Sequence, residues 1–456
     1  MGNLETFPGR RTSVIGFLND DRSRRGAGFR APGRGARGAS GSDRIGMENN
    51  ADTAEGSGRD IPVRCPMDAH EIVVGPTGSG KTVTRIIPQI IEHDGPVVAL
   101  DVKGELYHTT ALSRAVRGHE LILIDPFGLV PEMDTSRLDP GQAIMASDDP
   151  DDQALILAEA LNPETLQARE PFWDLSANRL NAAGLLYVAT HNLRMMYDRG
   201  VPSSWQDILN CDNVALQIAN ILDEEDDLPR LVHQTFAGYM QMPEATRGSI
   251  AAVAQTAMRL FGQRAVRRVT NGSDVDLAQL AERDDYAIYI AIPPRAIAAY
   301  GALLRLWFEM ILKALMERRS IPERPTMVVV DEAGAVGRIP SLETAFSMGR
   351  AYGIKAVAAV QTLHQLEDAY DKAHRVLTDN AGLISVLQPP HYLAAREVAD
   401  LIGTFSPEQL LGLGTDEFMA ARRGHRPRIL RRRNYLEEPE LQVLATRNPR
   451  HSGRPL

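Results

Sequence analysis

The sequence predicts an α/β protein in which a mostly parallel β-sheet is covered by helices and carries an inserted all-α domain. Short apolar runs recur along the chain without polar alternation, which is typical of parallel strands buried on both faces. Between residues 148 and 270 these runs disappear, and apolar residues recur with the period of a helix. A strand, a glycine-rich loop and a helix also follow one another near residue 75, as expected in an α/β sheet.

The predicted strands lie on both sides of the helical region. They are Glu71–Val74, Val97–Asp101, Leu121–Asp125, Tyr286–Ile292, Met327–Asp331, Lys355–Val360 and Leu383–Leu387. We therefore predict one sheet domain formed by residues 61–147 and 271–456, interrupted by an all-α domain at residues 148–270.

Residues 1–60 are expected to form a disordered tail. The stretch from Arg22 to Arg44 consists largely of Gly, Ala, Ser and Arg, with almost no large apolar residue. Such a segment cannot bury enough surface to offset the entropy lost on ordering. Its arginines could bind nucleic acid or anionic lipid, and a solvated tail without a specific partner is the alternative.

Composition excludes several classes of protein. The 456 residues carry a net charge of −9, which argues against a uniformly basic nucleic-acid-binding surface but permits a locally basic groove. Cys65 and Cys211 are the only cysteines and lie far apart, so neither a disulfide framework nor a zinc site is predicted. This cysteine content suits a reducing cytosol.

The strongest candidate for a membrane-spanning segment is Ala296–Met316, and its pattern argues against that interpretation. Arg305, Glu309 and Lys313 interrupt it at four-residue spacing and form one polar stripe on an otherwise apolar helix. Such a stripe suits i,i+4 pairing on a packed helix and not a lipid-facing surface. No secretory signal is visible. We therefore expect a soluble chain.

The glycine-rich loop has the pattern of a phosphate-binding P-loop. It reads Gly75, Pro76, Thr77, Gly78, Ser79, Gly80, Lys81 and Thr82. A polyphosphate needs several backbone N–H donors around its oxygens, and glycines permit the turn and the close approach. The following helix directs its N-terminal amides at the same anion. Lys81 is predicted to reach the β- and γ-phosphates of ATP, and the Thr82 hydroxyl is predicted to be a Mg²⁺ ligand.

Two adjacent carboxylates supply what hydrolysis needs beyond phosphate binding. Four apolar residues, Met327–Val330, lead into Asp331 and Glu332. Because neighbouring side chains of a strand point to opposite sides, the two carboxylates can have different roles. Asp331 is predicted to hold the hydration shell of Mg²⁺, and Glu332 is predicted to polarise the attacking water as general base.

The next predicted strand provides two further candidates. Gln361 follows this strand, where its amide could orient the water or sense the γ-phosphate. Arg350 precedes the strand and is a candidate to supply positive charge across a subunit boundary. The alternatives are an amide at a strand end and a surface arginine.

A basic cluster near the C-terminus is the best candidate in the folded part for contact with a phosphate backbone. Its members are Arg422, Arg423, Arg426, Arg428, Arg431, Arg432 and Arg433. Ile429 and Leu430 within the cluster indicate a short strand with arginines at exposed positions. A solvated face without a partner is an equally good interpretation.

Several segments resemble, in order and spacing, the type IV secretion coupling proteins, which are VirD/TraG-type conjugative DNA-transfer ATPases. The resemblance covers about residues 71–435. The segments are Gly75–Thr82, Asp101–Leu106, Phe172-Trp173, Thr270 with Ser273-Asp274, Val328–Glu332, Arg350–Ile354, and Gln361–Leu366 with Tyr370.

The resemblance implies a RecA-like motor that binds ATP and Mg²⁺, carries an all-α domain and works as a homo-hexamer. Such proteins recruit a relaxase–DNA complex or protein effectors to a type IV secretion channel at the cytosolic face of the bacterial inner membrane. By family position, Arg350 would be the arginine acting in trans and Gln361 the sensor. Lys103-Gly104-Glu105 is a family hallmark expected beside the site or at a subunit boundary.

Family members usually begin with transmembrane helices, where this sequence has the Gly/Arg-rich tail. A soluble member, a truncated copy or anchoring by a partner would each explain the difference. Without an anchor we expect a cytoplasmic or peripherally associated chain, and a monomer is then the alternative to the hexamer. Two other functions stay open: a soluble double-stranded DNA translocase of the FtsK/HerA kind, and a nucleotide-binding recruitment adaptor without motor activity.

Overall fold

The structure is a computed structural model that describes residues 12–18, 61–163, 171–191 and 200–448. Its described strands form one sheet of eleven strands in the order β2-β1-β11-β10-β9-β3-β8-β7-β4-β6-β5. Their bounds are β1 Thr12–Leu18, β2 Ile61–Pro66, β3 Glu71–Val74, β4 Val97–Asp101, β5 Glu120–Ile124, β6 Tyr286–Ala291, β7 Thr326–Val330, β8 Ile354–Val360, β9 Leu383–Val386, β10 Glu417–Arg422 and β11 Arg428–Arg431.

Seven neighbouring strands, from β9 to β5 in the sheet order, pair in parallel. Strands β3, β4, β6, β7, β8 and β9 are buried along their whole length, because helices cover both faces of the parallel part. The remaining strands extend the sheet in antiparallel pairs. Strands β3 to β9 lie within one residue of the predicted bounds.

The prediction of a disordered tail is wrong for residues 12–18, which form β1. This strand pairs with β2 and β11, and Ile15 is only 3% exposed. Gly16 lies so close to β11 that a Cβ atom there would be 2.8 Å from the carbonyl oxygen of Arg431. The average composition of residues 1–60 indicates disorder, although one short apolar segment within them can pair with the edge of a sheet. The other residues of the predicted tail lie outside the described part.

The helices cover the sheet and fill the region between β5 and β6. They are α1 Ile87–Glu92, α2 Glu105–Val116, α3 Gly141–Ala146, α4 Pro150–Leu161, α5 Phe172–Thr190, α6 Val201–Leu209, α7 Val214–Glu224, α8 Arg230–Gln241, α9 Glu244–Met258, α10 Arg264–Thr270, α11 Leu277–Glu282, α12 Pro294–Met316, α13 Ala333–Val336, α14 Pro340–Met348, α15 Leu363–Tyr370, α16 His374–Asn380, α17 Tyr392–Ile402, α18 Pro407–Leu411 and α19 Pro439–Gln442. Shorter turns of 3₁₀ helix are Arg259–Gly262, Gly349–Tyr352 and Asp371–Ala373, and Thr82–Ile86 is a π-helical turn.

The described residues between β5 and β6 contain helices and no strand. Their buried side chains, among them Trp205 and Phe236, belong to the same hydrophobic cluster as Ile72 and Val98 on one face of the sheet. The helical region is therefore packed continuously with the sheet. The division into domains at residues 148 and 270 stays a prediction.

Helix α12 connects this helical region to the sheet and is a buried core helix. Trp307 is fully buried, and its indole nitrogen donates to the carbonyl oxygen of Leu138 at 3.2 Å. Glu309, within the polar stripe, accepts from the backbone N–H of Ser341 at 3.0 Å. Among the described helices, none has the length and apolar character needed to cross a bilayer.

A substitution of Gly184, in the middle of α5, tests the packing of the helical region. A Cβ atom there would lie 2.0 Å from Cε2 of Trp205, whose ring is buried and donates to Asn181 Oδ1 at 3.0 Å. We expect Gly184→Ala to lower the free energy of unfolding by about 1–3 kcal/mol, as overpacking does. Gly238→Ala is the control, because nothing lies within 4 Å of its Cβ position in α8. Urea titrations should show it unchanged or about 0.5–1 kcal/mol more stable; equal behaviour of the two variants would contradict the packing.

Candidate nucleotide site

The carboxyl ends of four adjacent strands bring the predicted site residues together. Val74 at the end of β3 pairs with Val360 of β8, and Val330 at the end of β7 pairs with Ala358 of β8 and Leu100 of β4. Because parallel strands end at the same edge, the segments that follow them become neighbours. Strand β8 lies between the strand of the P-loop and the strand of the two carboxylates.

The P-loop has the backbone conformation that its glycines allow. Gly78 and Gly80 have φ angles of 82° and 88°, a region that other residues rarely adopt. A Cβ atom on Gly75 would lie 2.8 Å from the carbonyl oxygen of Leu387. The chain enters a helix directly after Lys81, first as a π-helical turn and then as α1, so that backbone amides face the loop. Pro76 and Thr77 lie between Gly75 and Gly78 in this loop.

Lys81 is buried and turned towards its own loop. Its Nζ donates to the carbonyl oxygens of Gly75 at 2.6 Å and Pro76 at 3.4 Å. Burial lowers the pKa of the Lys81 amine, and the charge of Glu332 acts in the opposite direction. A cation held at the loop by two carbonyl oxygens is well placed to exchange them for phosphate oxygens.

Thr82 and Asp331 meet although they lie 249 positions apart in the sequence. The Thr82 hydroxyl donates to Asp331 Oδ2 at 3.5 Å. The other carboxylate oxygen, Oδ1, is buried and has no hydrogen-bond partner among the described residues. A hydroxyl beside a carboxylate with an unused oxygen is the donor set that Mg²⁺ prefers. These two residues therefore fit the predicted magnesium site.

The environment of Asp331 raises its pKa from an ordinary 3.8 to about 7, through burial first and through the neighbouring charge of Glu332 second. The folded protein thus binds a proton that the unfolded chain releases at lower pH, so this group makes the free energy of unfolding fall as pH rises from about 4 to about 7. We expect magnesium-free Asp331→Asn protein to match the wild type near pH 4 and to be more stable at pH 8. Urea titrations over this pH range measure the difference; parallel curves would contradict it.

Glu332 begins the connection after β7 with an unusual backbone. Its φ angle of 61° lies in the left-handed region, which costs a non-glycine residue free energy and is found at functional sites. Gln361 Nε2 donates to Glu332 Oε2 at 3.3 Å. The backbone N–H of Gln361 donates to Gln365 Oε1 at 2.9 Å. The predicted general base and the predicted sensor are thus in direct contact.

The hallmark segment after β4 lies beside this site. Asp101 accepts from the backbone N–H groups of Lys103 at 3.2 Å and Tyr107 at 2.8 Å, which fixes the turn into α2. Gly104 adopts a φ angle of 73° within that turn. Burial lowers the pKa of Lys81, and the positive charge of Lys103 acts in the same direction. Burial raises the pKa of Asp331, and the charge of Lys103 opposes this. Of the two predicted positions for this segment, the structure places it next to the nucleotide site.

Arg350 lies apart from these residues. It belongs to the 3₁₀ turn before β8, whereas Gln361 follows the other end of the same strand. The Arg350 side chain is exposed, and its Nε donates to the carbonyl oxygen of Asp68 at 3.2 Å. Within one chain Arg350 therefore cannot contribute to the site, and its action across a subunit boundary stays a prediction.

The predicted exposure of the C-terminal arginines is wrong for two of them. Arg432 and Arg433 are 6% and 4% exposed. Arg433 forms ion pairs with Glu92 at 2.5 Å and with Glu438 at 2.7 Å. Because these two side chains are buried, they are removed from the proposed nucleic-acid surface.

Arg432 contacts the P-loop, which sequence reasoning did not anticipate. Its Nη1 donates to the carbonyl oxygen of Ser79, 353 positions away in the sequence. The adjacent Arg423, Arg426 and Arg428 are exposed, as predicted. No local signal distinguishes Arg432 from these neighbours, because its burial depends on the position of β11 relative to β3.

A family model for the type IV secretory system conjugative DNA-transfer proteins matches residues 42–410. The chain belongs to this family. It is 26% identical over 316 residues to protein VirD4 of Rhizobium rhizogenes, covering 67% of this chain and 44% of the relative. Conjugal transfer protein TraG of Escherichia coli is 22% identical over 356 residues, with 74% and 55% of the two chains covered. The chain spans about half the length of the curated relatives it matches.

Solved structures of a plasmid coupling protein have the same fold. The plasmid coupling protein TrwB in complex with ADP and Mg²⁺ superposes with a TM-score of 0.63 at 14% identity, covering 94% of this chain and 96% of TrwB. TrwB in complex with the GTP analogue GDPNP gives a TM-score of 0.63 at 14% identity, covering 98% and 100%. This likeness confirms the predicted fold class, a RecA-like P-loop NTPase core with a mostly parallel sheet.

Proposed function

We propose that this protein is an ATP-hydrolysing coupling protein that drives DNA or protein substrates into a type IV secretion channel. The observation that carries the proposal is the meeting of the P-loop with Asp331, Glu332 and Gln361 at one edge of the sheet. The membership of the chain in the conjugative DNA-transfer family supports the choice of substrate. The contacts within the site support ATP hydrolysis as the reaction.

In the proposed reaction the P-loop amides and Lys81 bind the triphosphate. Thr82 and Asp331 would hold Mg²⁺, which would supply positive charge to offset that of the phosphates. Glu332 accepts a proton from the attacking water. Gln361, whose side-chain amide contacts Glu332, orients that water and makes or breaks this contact according to the presence of the γ-phosphate.

The proposed assembly is a homo-hexameric ring on the cytosolic face of the bacterial inner membrane. Arg350 supports an oligomer, because it lies at the sheet edge opposite the site of its own chain and would meet phosphates only in a neighbouring subunit. The exposed arginines Arg423, Arg426 and Arg428 supply positive charge for a nucleic-acid backbone. A relaxase–DNA complex or an effector protein is the proposed cargo.

ATP turnover measured against protein concentration and DNA tests this proposal. We expect turnover per chain to rise with both, because ring formation completes each site with a neighbouring arginine. Absence of hydrolysis would leave the recruitment adaptor as the better function. In a deletion strain, loss of conjugative transfer or effector export with normal chromosome segregation would support the coupling protein, and the reverse result would support an FtsK/HerA-like translocase.

A mixing experiment tests Arg350 directly. Arg350→Ala and Glu332→Gln proteins should each be nearly inactive alone, because each lacks one half of every composite site. When they are mixed, some interfaces combine an intact Glu332 with an intact Arg350 from the neighbour, and activity should reappear. The role of the arginine is worth about 10³–10⁵ in rate where it operates. A failure of the mixture to exceed the two separate proteins would argue against action in trans.

A further inference from the structure

The guanidinium of Arg432 is held rigidly between two parts of the chain. Its Nε donates to the carbonyl oxygen of Glu417 at 2.7 Å, and its backbone N–H donates to the carbonyl oxygen of Asp416 at 2.7 Å. Its Nη1 donates to the carbonyl oxygen of Ser79 and lies 3.4 Å from the position of a Cβ atom on Gly80. The side chain therefore reaches from the start of β10 to the middle of the P-loop.

Arg432 is a buried cation whose hydrogen-bond partners in the described part of the chain are uncharged. In the described part of the chain, no carboxylate oxygen forms an ion pair with Arg432, and its partners are carbonyl oxygens of the backbone. Its Nη2 is buried and lacks any hydrogen-bond partner there. Burial lowers the pKa of Arg432 to about 10, with Asp416 and Glu417 acting in the opposite direction. The group is thus charged at neutral pH, and a buried charge without a partner is costly.

A polar group next to Arg432 also lacks a hydrogen-bond partner in the described part of the chain. The hydroxyl of Ser79, whose carbonyl oxygen Arg432 contacts, is also buried without a partner in the described residues. Arg433, the next residue, is by contrast fully engaged with Glu92 and Glu438. Because Glu92 ends α1, Arg432 and Arg433 contact the two ends of the segment from the P-loop through α1. At the P-loop end of this segment, Arg432 Nη2 and the Ser79 hydroxyl are buried without a hydrogen-bond partner among the described residues.

We propose that Arg432 is a nucleotide-binding residue acting within its own chain, and that the polyphosphate bound by the P-loop is its missing counter-charge. The inference rests on the proposed nucleotide site and adds a second cation to Lys81. Nη1 of the guanidinium holds the loop, and Nη2, which lacks a partner among the described residues, would donate to the phosphate. Arginine suits this double role because its planar group donates in several fixed directions.

The test is the affinity for Mg-ADP, measured by titration calorimetry. Arg432→Gln keeps a donor for one carbonyl oxygen and removes the charge, so we expect binding to weaken roughly 10- to 100-fold, the loss of a hydrogen bond to a charged group. Arg432→Lys keeps the charge without the planar guanidinium, so it should lose less affinity than Arg432→Gln. Arg396→Gln is the control, because Arg396 is 62% exposed on α17 and pairs with Asp400; it should bind like the wild type.

Thermal unfolding separates a binding role from a structural one. We expect Arg432→Gln without nucleotide to unfold near the wild-type temperature and to gain less from saturating Mg-ADP. A lowered midpoint without nucleotide together with a wild-type gain and affinity would overturn the inference. If the glutamine variant does not fold, Arg432→Met and Arg432→Lys serve for the same comparison, and equal affinity in these two variants would also overturn it.

The outcome for Arg432 is distinguishable from failure of the proposed function. If wild-type protein binds Mg-ADP, Lys81→Ala does not, and Arg432→Gln binds like the wild type, the nucleotide site stands and the inference about Arg432 is wrong. If the wild type itself does not bind Mg-ADP, both the proposed function and the inference are wrong.

Discussion

Glu332→Gln protein is expected to bind Mg-ATP and to hydrolyse it about 10²–10⁴-fold more slowly than the wild type, because the amide cannot accept a proton from water. The substitution keeps the size of the side chain and an oxygen for the contact with Gln361 Nε2. Glu332 also raises the pKa of Asp331, so its neutralisation favours the ionised Asp331 that the metal needs. Affinity for Mg-ATP should therefore stay equal or increase.

Steady-state phosphate release and equilibrium binding of Mg-ATP together measure this effect. Glu397→Gln, at an exposed position on α17, is the matched control and should hydrolyse ATP like the wild type. Hydrolysis by Glu332→Gln within a few-fold of the wild type would show that another group activates the water. Loss of both binding and hydrolysis would show that Glu332 serves structure and not proton transfer.

Lys81→Ala protein should lose ATP hydrolysis to below detection and bind nucleotide much more weakly. The variant removes the cation predicted to contact the β- and γ-phosphates. Since Lys81 is buried and its Nζ donates to Gly75 and Pro76 carbonyl oxygens, the variant also leaves these acceptors without their donor. We expect a modest loss of stability, about 1–3 kcal/mol in the free energy of unfolding.

The matched control for Lys81→Ala is Lys372→Ala, because Lys372 lies exposed in the turn after α15. Thermal unfolding distinguishes lost catalysis from lost folding: a folded Lys81→Ala protein without activity supports the nucleotide site. Wild-type turnover by folded Lys81→Ala protein would contradict both the site and the proposed motor function, since no other described loop offers the same set of donors.

The chemistry of the site could be predicted because each part of the site lies in a continuous segment of the sequence. The glycines, Lys81 and Thr82 lie within eight residues, and Asp331 and Glu332 end a single apolar run. Parallel strands buried on both faces also leave a simple pattern, so strands β3 to β9 were located closely. The backbone conformation of the loop and the burial of a strand on both faces each depend on a few consecutive residues. Both features can therefore be recognised in a sequence.

Strand β1 shows where such reasoning fails. Its seven residues, Thr12–Leu18, stand in a segment whose average composition indicates disorder. They form a strand because β11 and β2 offer free edges and because Gly16 allows close approach to β11. Edge pairing depends on partners far away in the sequence, and no local pattern identifies those partners.

By itself, the sequence determined that this protein has a phosphate-binding loop, a pair of acidic residues after a buried strand and an α/β core. Only the tertiary structure decided that β8 lies between the strands of these two segments, that Arg350 faces away from its own site, and that Arg432 reaches Ser79. The physical reason is that the backbone conformation of a loop and the apolar pattern of a buried strand depend on consecutive residues. Burial, charge compensation and the pKa of Asp331 instead depend on which strands, distant in the sequence, lie next to each other in the sheet.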